Sequence, residues 1–285
     1  MSGAVLVTGA AGGIGRYVVD DLVRAGRTVV AADRIAVDAP GVAASLTGDL
    51  RNPAFVAACL TGPARVEAVV HLAAIPAPGI VAEHETLLHN AASAYLVFNE
   101  AGRAGVDRVV AASSFSAIGL AWADRDLSPH YVPVDERHPL LTVDSYGLSK
   151  AFTEQIAAFT TRRFGTVTVC LRFPFAGTGE RLRRHLAGVH GDPDGNRREL
   201  WAWVDSRDVA HAVRLALTAE LTGHQVVNIA ATDTTAVQPT LDLLRTHHPS
   251  ADRRADLPQH TGLVDTRLAG ALLGFTPQHG WRLPG

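Results

Sequence analysis

The sequence predicts an α/β protein in which a doubly wound parallel sheet carries a small C-terminal lobe. Two observations support this fold class. Short apolar runs alternate with longer amphipathic runs over residues 1–172, a succession typical of buried parallel strands joined by right-handed helical crossovers. In addition, a glycine-rich segment follows the first apolar run directly, as expected where a strand turns sharply into a helix.

The elements alternate regularly in this first part of the chain. Short runs of β-branched and other apolar residues predict five strands, at 4–7, 28–32, 66–74, 108–112 and 167–172. Apolar residues at helical spacing predict the helices between them, at about 14–24, 53–60, 83–104 and 145–164. A loop is expected from the second strand to Gly48. Ligands bind at the carboxyl ends of the strands in such a sheet, so the residues that follow each strand are the site candidates.

Beyond residue 172 the regular alternation ends. Residues 173–204 are rich in Gly and Arg and are predicted to be irregular, with the 181–198 loop acting either as a lid or as solvated surface. A helix at about 207–219, a strand at 225–229 and two short helices near 237–246 and 266–273 follow. These patterns predict a main domain of residues 1–172, to which 205–230 return, and a smaller lobe of residues 173–204 and 231–285.

The glycine-rich segment Thr8-Gly9-Ala10-Ala11-Gly12-Gly13-Ile14-Gly15 has the spacing of a dinucleotide-binding turn. A strand that turns sharply into a helix brings the unpaired N–H groups and the positive dipole end of that helix against phosphate groups. A side chain at Gly9 or Gly12 would obstruct the turn or the approach of phosphate, and one at Gly15 would push the helix off the sheet. The segment therefore predicts a Rossmann-type pyrophosphate site.

The end of the second predicted strand indicates which dinucleotide binds. Asp33 lies 18 residues beyond Gly15, where an acid accepts hydrogen bonds from both ribose hydroxyls of adenosine and repels a 2′-phosphate. NAD is therefore favoured over NADP, although Arg34 or Arg16 could pair with a 2′-phosphate. Further along the chain, Asp49 of the segment Asp49-Leu50 is placed to touch the adenine side of the cofactor.

A second motif, Ser145-Tyr146-Gly147-Leu148-Ser149-Lys150, predicts proton transfer. Tyr146 and Lys150 are four residues apart, so both side chains project from one face of a helix. A phenol has an ordinary pKa near 10, and an ammonium group within about 4–6 Å can lower it by roughly one to three units. Tyr146 could then exchange a proton with a substrate oxygen held by Ser114, at the end of the fourth strand, while nicotinamide exchanges hydride.

Composition and charge argue against several other classes of protein. The formal net charge of −2 gives no electrostatic reason to bind nucleic acid or an anionic membrane. No apolar stretch approaches the roughly 20 residues of a membrane helix, and the first strand begins almost at Met1, so we expect a cytoplasmic protein without a signal peptide. Cys59 and Cys170 are expected to be reduced core residues, and the thirteen histidines show no clustering typical of a metal site.

These motifs together resemble the extended short-chain dehydrogenase/reductases, and among them the NAD-dependent epimerase/dehydratase group. Further matching segments are His71-Leu72-Ala73-Ala74, Asn90, Ser113-Ser114 and Trp203-Val204-Asp205-Ser206-Arg207-Asp208-Val209-Ala210. The resemblance implies a catalytic triad of Ser114, Tyr146 and Lys150, an N-terminal NAD(P)-binding domain and a C-terminal substrate lobe. It also implies a homodimer formed through the helices at about 83–104 and 145–164. The cofactor contacts expected from the motifs and the resemblance are Gly9, Gly12, Gly13, Ile14, Gly15, Asp33, Arg34, Asp49, Leu50, Leu72, Ala73, Ala74, Asn90, Tyr146 and Lys150.

Within that group, Val169-Cys170-Leu171-Arg172 and the segment around Tyr146 are similar to uronate dehydrogenases, which oxidise a sugar acid to a lactone. Pro76, Phe115 and the segment Phe173-Pro174-Phe175-Ala176 stand where those enzymes tend to have polar residues. A buried hydroxyl without a partner costs about 1–3 kcal/mol, so these apolar residues favour a hydrophobic ring ketone. Arg181 falls where the family places a carboxylate-binding arginine. The predicted substrate contacts are Ile75, Phe115, Ser116, Phe173, Phe175 and Arg181, with Trp122, Trp201 and Trp203 as further aromatic candidates for the pocket.

The resulting hypothesis is an NAD(P)-dependent oxidoreductase that transfers hydride between nicotinamide and a carbonyl or secondary alcohol, on a hydrophobic ring ketone or a sugar acid. A nucleotide-sugar epimerase or dehydratase is an alternative, although Ser114-Phe115-Ser116 lacks the acids that dehydratases usually carry there. A dinucleotide-binding regulator without turnover is another, against which the intact triad argues.

Overall fold

A computed structural model describes residues 3–62 and 65–282 and confirms the predicted α/β fold class. The strands of the described chain are β1 (Ala4–Thr8), β2 (Val29–Asp33), β3 (Ala44–Thr47), β4 (Val66–His71), β5 (Arg108–Ser114), β6 (Tyr131–Val132), β7 (Val167–Phe173), β8 (Phe175–Ala176), β9 (Trp203–Val204), β10 (His224–Asn228) and β11 (Asp252–Arg253). Its helices are α1 (Gly15–Arg24), α2 (Pro53–Leu60), α3 (Glu83–Arg103), α4 (Ser145–Phe164), α5 (Gly179–Gly191), α6 (Ser206–Thr218), α7 (Thr240–His247) and α8 (Arg267–Leu273). Among these helices, none is both long and apolar enough to span a bilayer.

Seven strands form one parallel sheet in the order β10-β7-β5-β4-β1-β2-β3. From β1 the chain first builds outward through β2 and β3, and then crosses to β4 and builds in the other direction. Thr8 of β1 pairs with His71 of β4, so the carboxyl ends of these two strands lie side by side at the point where the order reverses. A crevice opens at such a switch point, and it is where ligands bind in open α/β sheets.

Helices cover both faces of the sheet, as a doubly wound fold requires. α1 and α6 pack on one face through residues such as Val18, Leu22 and Val213. α2, α3 and α4 pack on the other face, where Phe98 and Ala157 are fully buried. Burial of apolar side chains on both sides explains why the central strands are almost continuously apolar in the sequence.

A third apolar core lies away from the sheet. Leu200 and Trp201 pack there against Leu257, and Val132 joins them from the segment between β5 and α4. This core therefore combines residues of the predicted lobe with residues 115–134, which the sequence assigned to the main domain. The division into residues 1–172 with 205–230, and 173–204 with 231–285, stays a prediction.

Two strand boundaries differ from the prediction. Residues 44–47 form β3, where a loop was expected, and β4 ends at His71 instead of residue 74. β3 is an edge strand whose residues alternate between partly buried and exposed, and it includes Ser45 and Thr47. Such a short strand lacks the continuous apolar run that marks the central strands. Beyond β4, residues 72–74 line the crevice instead of continuing the ladder.

The prediction that residues 173–204 are irregular was wrong for much of that segment. It contains the 13-residue helix α5, followed by a 3₁₀ helix over Pro193–Glu199. Leu182, Leu186 and Val189 recur at helical spacing and pack inward, whereas most of the arginines face solvent. The polar composition therefore belongs to the outer face of an amphipathic helix.

Candidate active site

The glycine-rich turn is shaped by close approach of backbone segments. Gly9 has a φ of +71°, and a Cβ there would lie 2.6 Å from the backbone nitrogen of Ala73. A Cβ at Gly15 would collide with the carbonyl oxygen of Gly9. A Cβ at Gly13, in contrast, would meet nothing within 4 Å. Gly9 and Gly15 therefore let the backbone pack, while Gly13 leaves the N-terminal end of α1 open to the crevice.

The crevice belongs to a cavity of about 940 Å³ that reaches from the glycine turn to Tyr146 and on to Phe175. All the site residues predicted from the sequence line this cavity, apart from Ile75 and Asn90. The two motifs that are far apart along the chain thus line one cavity. A dinucleotide site and a proton-transfer group can act on the same substrate only in such an arrangement.

Asn90 occupies a different place from the one predicted. Its Oδ1 accepts a hydrogen bond from the Ile75 backbone N–H at 2.8 Å, and its Nδ2 donates to the Ile75 carbonyl at 3.1 Å and to Ser149 Oγ at 3.1 Å. These bonds engage both polar groups of the side chain. Asn90 therefore clamps the loop after β4 to α3 and α4, and Ile75 is the clamped residue. Both are buried, and neither lines the cavity.

Ser114, Tyr146 and Lys150 line the cavity at the ends of β5 and α4. Asp144 caps α4 by accepting a hydrogen bond from the Gly147 N–H at 2.7 Å, which fixes the first turn that carries Tyr146. Lys150 Nζ lies 5.7 Å from the centre of the Tyr146 ring and donates to the Ala112 carbonyl at 2.8 Å. The fold therefore assembles the three predicted catalytic groups in one place.

Burial dominates the protonation of this centre. It raises the pKa of Tyr146 to about 12, helped by the negative charges of Asp144 and Glu199 and opposed by a hydrogen bond with Ser114. Burial also lowers the pKa of Lys150 to about 8. The lowered phenol pKa expected from the sequence is not produced by the protein's own groups, because desolvation of the phenolate outweighs the hydrogen bond with Ser114.

A buried ion pair supports this centre, and sequence reasoning missed it. Arg172 at the end of β7 makes two hydrogen bonds of 2.8 Å to Glu154, and both side chains are 4% exposed. Ser113 Oγ donates to the same carboxylate at 2.6 Å. Glu154 stands one turn beyond Lys150 on α4, so the pair ties α4 to β5 and β7 directly behind the catalytic groups. The sequence does carry a sign of this pair. Arg172 is a charged residue in an otherwise apolar strand, and Glu154 lies four residues after Lys150, as Lys150 lies four after Tyr146.

At the other end of the cavity, hydrogen bonds and an ion pair within the protein fix the carboxylates of Asp33 and Asp49. The Asp33 carboxylate accepts hydrogen bonds from the backbone N–H groups of Ala11 at 3.0 Å and of Arg34 at 2.6 Å. Asp49 pairs with Arg51 at 2.6 Å, and hydrogen bonds from Arg51 lower the pKa of Asp49 to about 2. The structure thus fixes the Asp33 carboxylate beside the glycine turn, where the sequence predicted an adenosine contact.

The aromatic residues divide between the cavity and the core. Phe115, Phe173 and Phe175 line the cavity as predicted, and so does Trp122, whose indole N–H donates to Ser116 Oγ at 3.2 Å. Trp201 and Trp203 do not line it. They are 0% and 1% exposed and donate to the Pro193 carbonyl and to Asp233 respectively, so they are core residues of the lobe.

Two side chains of opposite charge line the same end of the cavity. The Arg181 guanidinium lies 5.0 Å from the centre of the Phe175 ring, and its Nε donates to the Ala176 carbonyl at 2.9 Å. Glu199, which sequence reasoning missed, lines the cavity from the end of the 3₁₀ helix. Burial raises the pKa of Glu199, against the effect of Asn196 and Arg181.

The turn that presents Glu199 is conformationally unusual. The next two residues, Leu200 and Trp201, have φ values of 54° and 51° and are fully buried. This left-handed conformation costs roughly 1–2 kcal/mol for each residue with a side chain, and it persists only where surrounding contacts fix it. Here the fixing contacts include the Thr235 N–H, which donates to the Trp201 carbonyl at 2.9 Å.

Comparison with known proteins agrees with this geometry. A model of the NAD dependent epimerase/dehydratase family matches residues 5–230. The chain belongs to this family. A uronate dehydrogenase of Pseudomonas syringae pv. tomato is 30% identical over 230 residues, which cover 78% of this chain and 72% of that protein. A UDP-glucose 4-epimerase of Streptomyces lividans is 28% identical over 314 aligned positions, covering 97% of this chain and 92% of that protein.

Solved structures show the same similarity. The structure of MoeE5 in complex with UDP-glucuronic acid and NAD superposes with a TM-score of 0.73 at 28% identity, covering 98% of this chain and 95% of that one. Family membership confirms that the chain is an enzyme, that it is an extended short-chain dehydrogenase/reductase and that its cofactor is NAD. The relatives include both dehydrogenases and epimerases, so they leave the substrate open.

The buried Lys150 predicts a dependence of stability on pH. Its pKa is about 8 in the folded chain and has the ordinary value of 10.5 when exposed. Between these values the unfolded chain binds a proton that the folded chain does not, so raising the pH favours the folded state. We expect the unfolding free energy of the wild type, relative to Lys150→Met, to rise by about 1–3 kcal/mol from pH 8 to 10.5.

Urea denaturation of both proteins across this pH range measures the difference directly. The Met variant is the control, because it keeps the other titrating groups. A difference that stays constant or falls with pH would contradict the lowered pKa.

Proposed function

We propose that this protein is an NAD-dependent oxidoreductase that interconverts a carbonyl and an alcohol through Ser114, Tyr146 and Lys150. The observation that supports this most is that these three side chains line the same cavity as the glycine turn and Asp33. A nucleotide-binding regulator would need only the part of the cavity that the glycine turn and Asp33 line. A catalyst also needs a complete set of proton-transfer groups beside that part.

The residues present fit a dinucleotide. Gly9 and Gly15 permit the tight turn, and the open position at Gly13 leaves the helix terminus accessible to a pyrophosphate. The Asp33 carboxylate, oriented by two backbone N–H groups, suits the ribose hydroxyls and disfavours a 2′-phosphate. When bound, the nicotinamide ring supplies or takes up the hydride.

The protein's own groups then handle the proton and the substrate oxygen. Ser114 Oγ hydrogen-bonds the reacting oxygen and holds it beside Tyr146. Because the pKa of Tyr146 is about 12, its phenol is protonated at neutral pH and ready to donate to an oxygen that becomes an alkoxide during reduction. In the oxidation direction Tyr146 must act as the base, and Lys150 in its charged form stabilises the phenolate.

The charged groups at the substrate end favour a sugar acid over a hydrophobic ring ketone. Arg181 offers a cation for a carboxylate, and Glu199 offers a partly buried carboxyl that can hydrogen-bond a hydroxyl. A ketone without polar substituents would offer the Glu199 carboxyl no hydrogen bond beyond the one that it accepts from Asn196 at 3.3 Å. Phe115, Phe173 and Trp122 also line the cavity and are apolar. They support the alternative that the substrate is a hydrophobic ring ketone.

The outer surfaces of α3 and α4 support a second proposal, that the protein forms a homodimer. Leu88 and Tyr95 are seven residues apart on α3 and are 64% and 42% exposed, and Phe152 on α4 is 42% exposed. Phe159, seven residues beyond Phe152, contacts the Tyr95 ring at 6.3 Å between centroids. The four residues form one apolar stripe across both helices, and such a stripe is buried at low cost only against another apolar surface.

The assignment of Tyr146 predicts a selective loss of turnover. Tyr146→Phe should reduce the rate of NADH formation by about 10²–10⁴-fold, because the proton donor and acceptor is removed. Its affinity for NAD⁺, measured by calorimetry, should stay within about twofold of the wild type, since a single aromatic side chain of similar shape replaces it. A Phe variant with wild-type turnover would refute the assigned role.

The substrate class is tested by a screen with matched variants. Galacturonate and glucuronate should reduce NAD⁺ with net formation of NADH, whereas UDP-glucose and cyclic aromatic alcohols should not. Arg181→Met should raise the KM for the uronate about tenfold or more with little change in kcat, because it removes a charged hydrogen bond made before the chemical step. Arg184→Met, on the same helix and 77% exposed, is the control.

Two results would contradict the sugar-acid assignment. One is turnover of ring alcohols alone, and the other is an Arg181→Met variant that keeps the wild-type KM. Conversion of a UDP-sugar without net NADH would favour the epimerase alternative.

The dimer proposal predicts the effect of a charge in the apolar stripe. Sedimentation of the wild type should give twice the mass of one chain, and Phe152→Asp should give a single-chain mass, because an unpaired charge in an apolar interface is strongly unfavourable. Val237→Asp, at a position that is 50% exposed outside the stripe, is the control. A monomeric wild type would contradict the proposal.

A further inference from the structure

Glu199 carries a carboxyl group at the substrate end of the cavity, which it lines together with Ser114 and Tyr146. Asn196 Nδ2 donates to its Oε2 at 3.3 Å. Its Oε1 accepts no hydrogen bond from any described residue, and it is not among the polar atoms that the protein encloses completely. One oxygen of the Glu199 carboxyl is therefore free to bond a ligand in the cavity.

The backbone on both sides of Glu199 is held by hydrogen bonds. Two residues before it, the Arg197 carbonyl accepts a hydrogen bond from His248 Nε2 at 2.9 Å. Two residues after it, the Trp201 carbonyl accepts hydrogen bonds from the N–H of Thr235 at 2.9 Å and from the hydroxyl of Thr235 at 3.1 Å. Trp201 keeps its φ of 51° between these contacts. Strained conformations of this kind cluster at ligand sites, so the turn indicates a function for the side chain that it presents.

The Glu199 carboxyl lies close to Tyr146 without bonding to it. Its negative charge contributes to the raised pKa of Tyr146, and no hydrogen bond joins the two side chains among those of the described residues. Ser114 and Tyr146 hold the reacting oxygen of the substrate, so Glu199 meets the substrate beside that oxygen. On a sugar ring, the polar group beside the reacting oxygen is the hydroxyl of the neighbouring carbon.

We propose that Glu199 hydrogen-bonds the substrate hydroxyl on the carbon next to the reacting carbon, and that it thereby selects substrates with oxygens on two adjacent carbons. The proposal rests on the sugar-acid function proposed above and specifies the hydroxyl that this site requires. An ionised carboxyl accepts from a hydroxyl and a protonated one donates to it, so the contact forms in either state. Ser116, another polar residue at this end, already accepts the Trp122 indole N–H at 3.2 Å.

Removal of one hydroxyl from the substrate tests this contact. Glucuronate or galacturonate, whichever the wild type oxidises faster, is compared with its 2-deoxy analogue, which lacks the hydroxyl next to the carbon that becomes the lactone carbonyl. The kcat/KM of the wild type for NADH formation should be about 10–100-fold higher with the parent uronate, because a hydrogen bond to a charged group is lost with the analogue. Glu199→Met keeps the length of the side chain without its oxygens, so it should use both compounds with similar kcat/KM.

Three controls separate recognition from a structural role. Glu220→Met makes the same substitution at an exposed position outside the cavity and should keep the wild-type preference. Glu199→Gln keeps one acceptor oxygen and should show an intermediate preference. The affinity of Glu199→Met for NAD⁺, measured by calorimetry, should stay within about twofold of the wild type if the variant is folded. A purely structural role would lower kcat/KM for both compounds equally and leave their ratio unchanged.

The outcomes distinguish this inference from the proposed function. A Glu199→Met variant that keeps the wild-type preference for the parent uronate would overturn the role of Glu199 and leave the sugar-acid function intact. A wild type that oxidises the parent uronate and its 2-deoxy analogue equally well would also overturn it. If the wild type oxidised neither uronate, the sugar-acid function itself would be wrong, and the inference with it.

Discussion

The structure depends on the close approach of two backbone segments, the glycine turn after β1 and the loop after β4. Gly9 meets Ala73 at a distance that excludes any side chain, and Asn90 clamps the same loop from the other side through Ile75. This approach fixes the floor of the crevice at the point where the strand order reverses. The N-terminal end of α1 and the Asp33 carboxylate are both positioned relative to it.

Burial of charged and polar side chains is the second constraint. It strengthens the ion pair that supports the catalytic centre, and it sets the protonation of the catalytic groups. Glu154 and Arg172 form a saturated ion pair behind Lys150, and breaking a pair of this kind costs about 3–5 kcal/mol. The same exclusion of water lowers the pKa of Lys150 and raises that of Tyr146. Catalytic groups and supporting groups therefore share one low-dielectric region, in which each charge has a strong effect on its neighbours.

The sequence predicted those features that local patterns encode. Apolar periodicity located the central strands and the long helices, and glycine spacing located the phosphate turn, because each depends on residues close together in the chain. It missed β3 and α5, where half-buried elements have a mainly polar composition. It also missed Glu199, whose importance comes from segments that are distant in sequence and meet only in the fold. Trp201 was assigned to the pocket because an aromatic residue gives no local sign of whether it faces a ligand or a core.

The central claim is that one cavity holds NAD with its adenosine at the end lined by Asp33 and its nicotinamide beside Ser114, Tyr146 and Lys150. A crystal structure of the protein with NAD⁺ tests this most directly. We predict density for the pyrophosphate at the N-terminal end of α1, for the ribose at Asp33 and for the nicotinamide ring in contact with the Tyr146 and Lys150 side chains. A dinucleotide bound outside this cavity, or one whose nicotinamide lies away from Tyr146, would contradict the account.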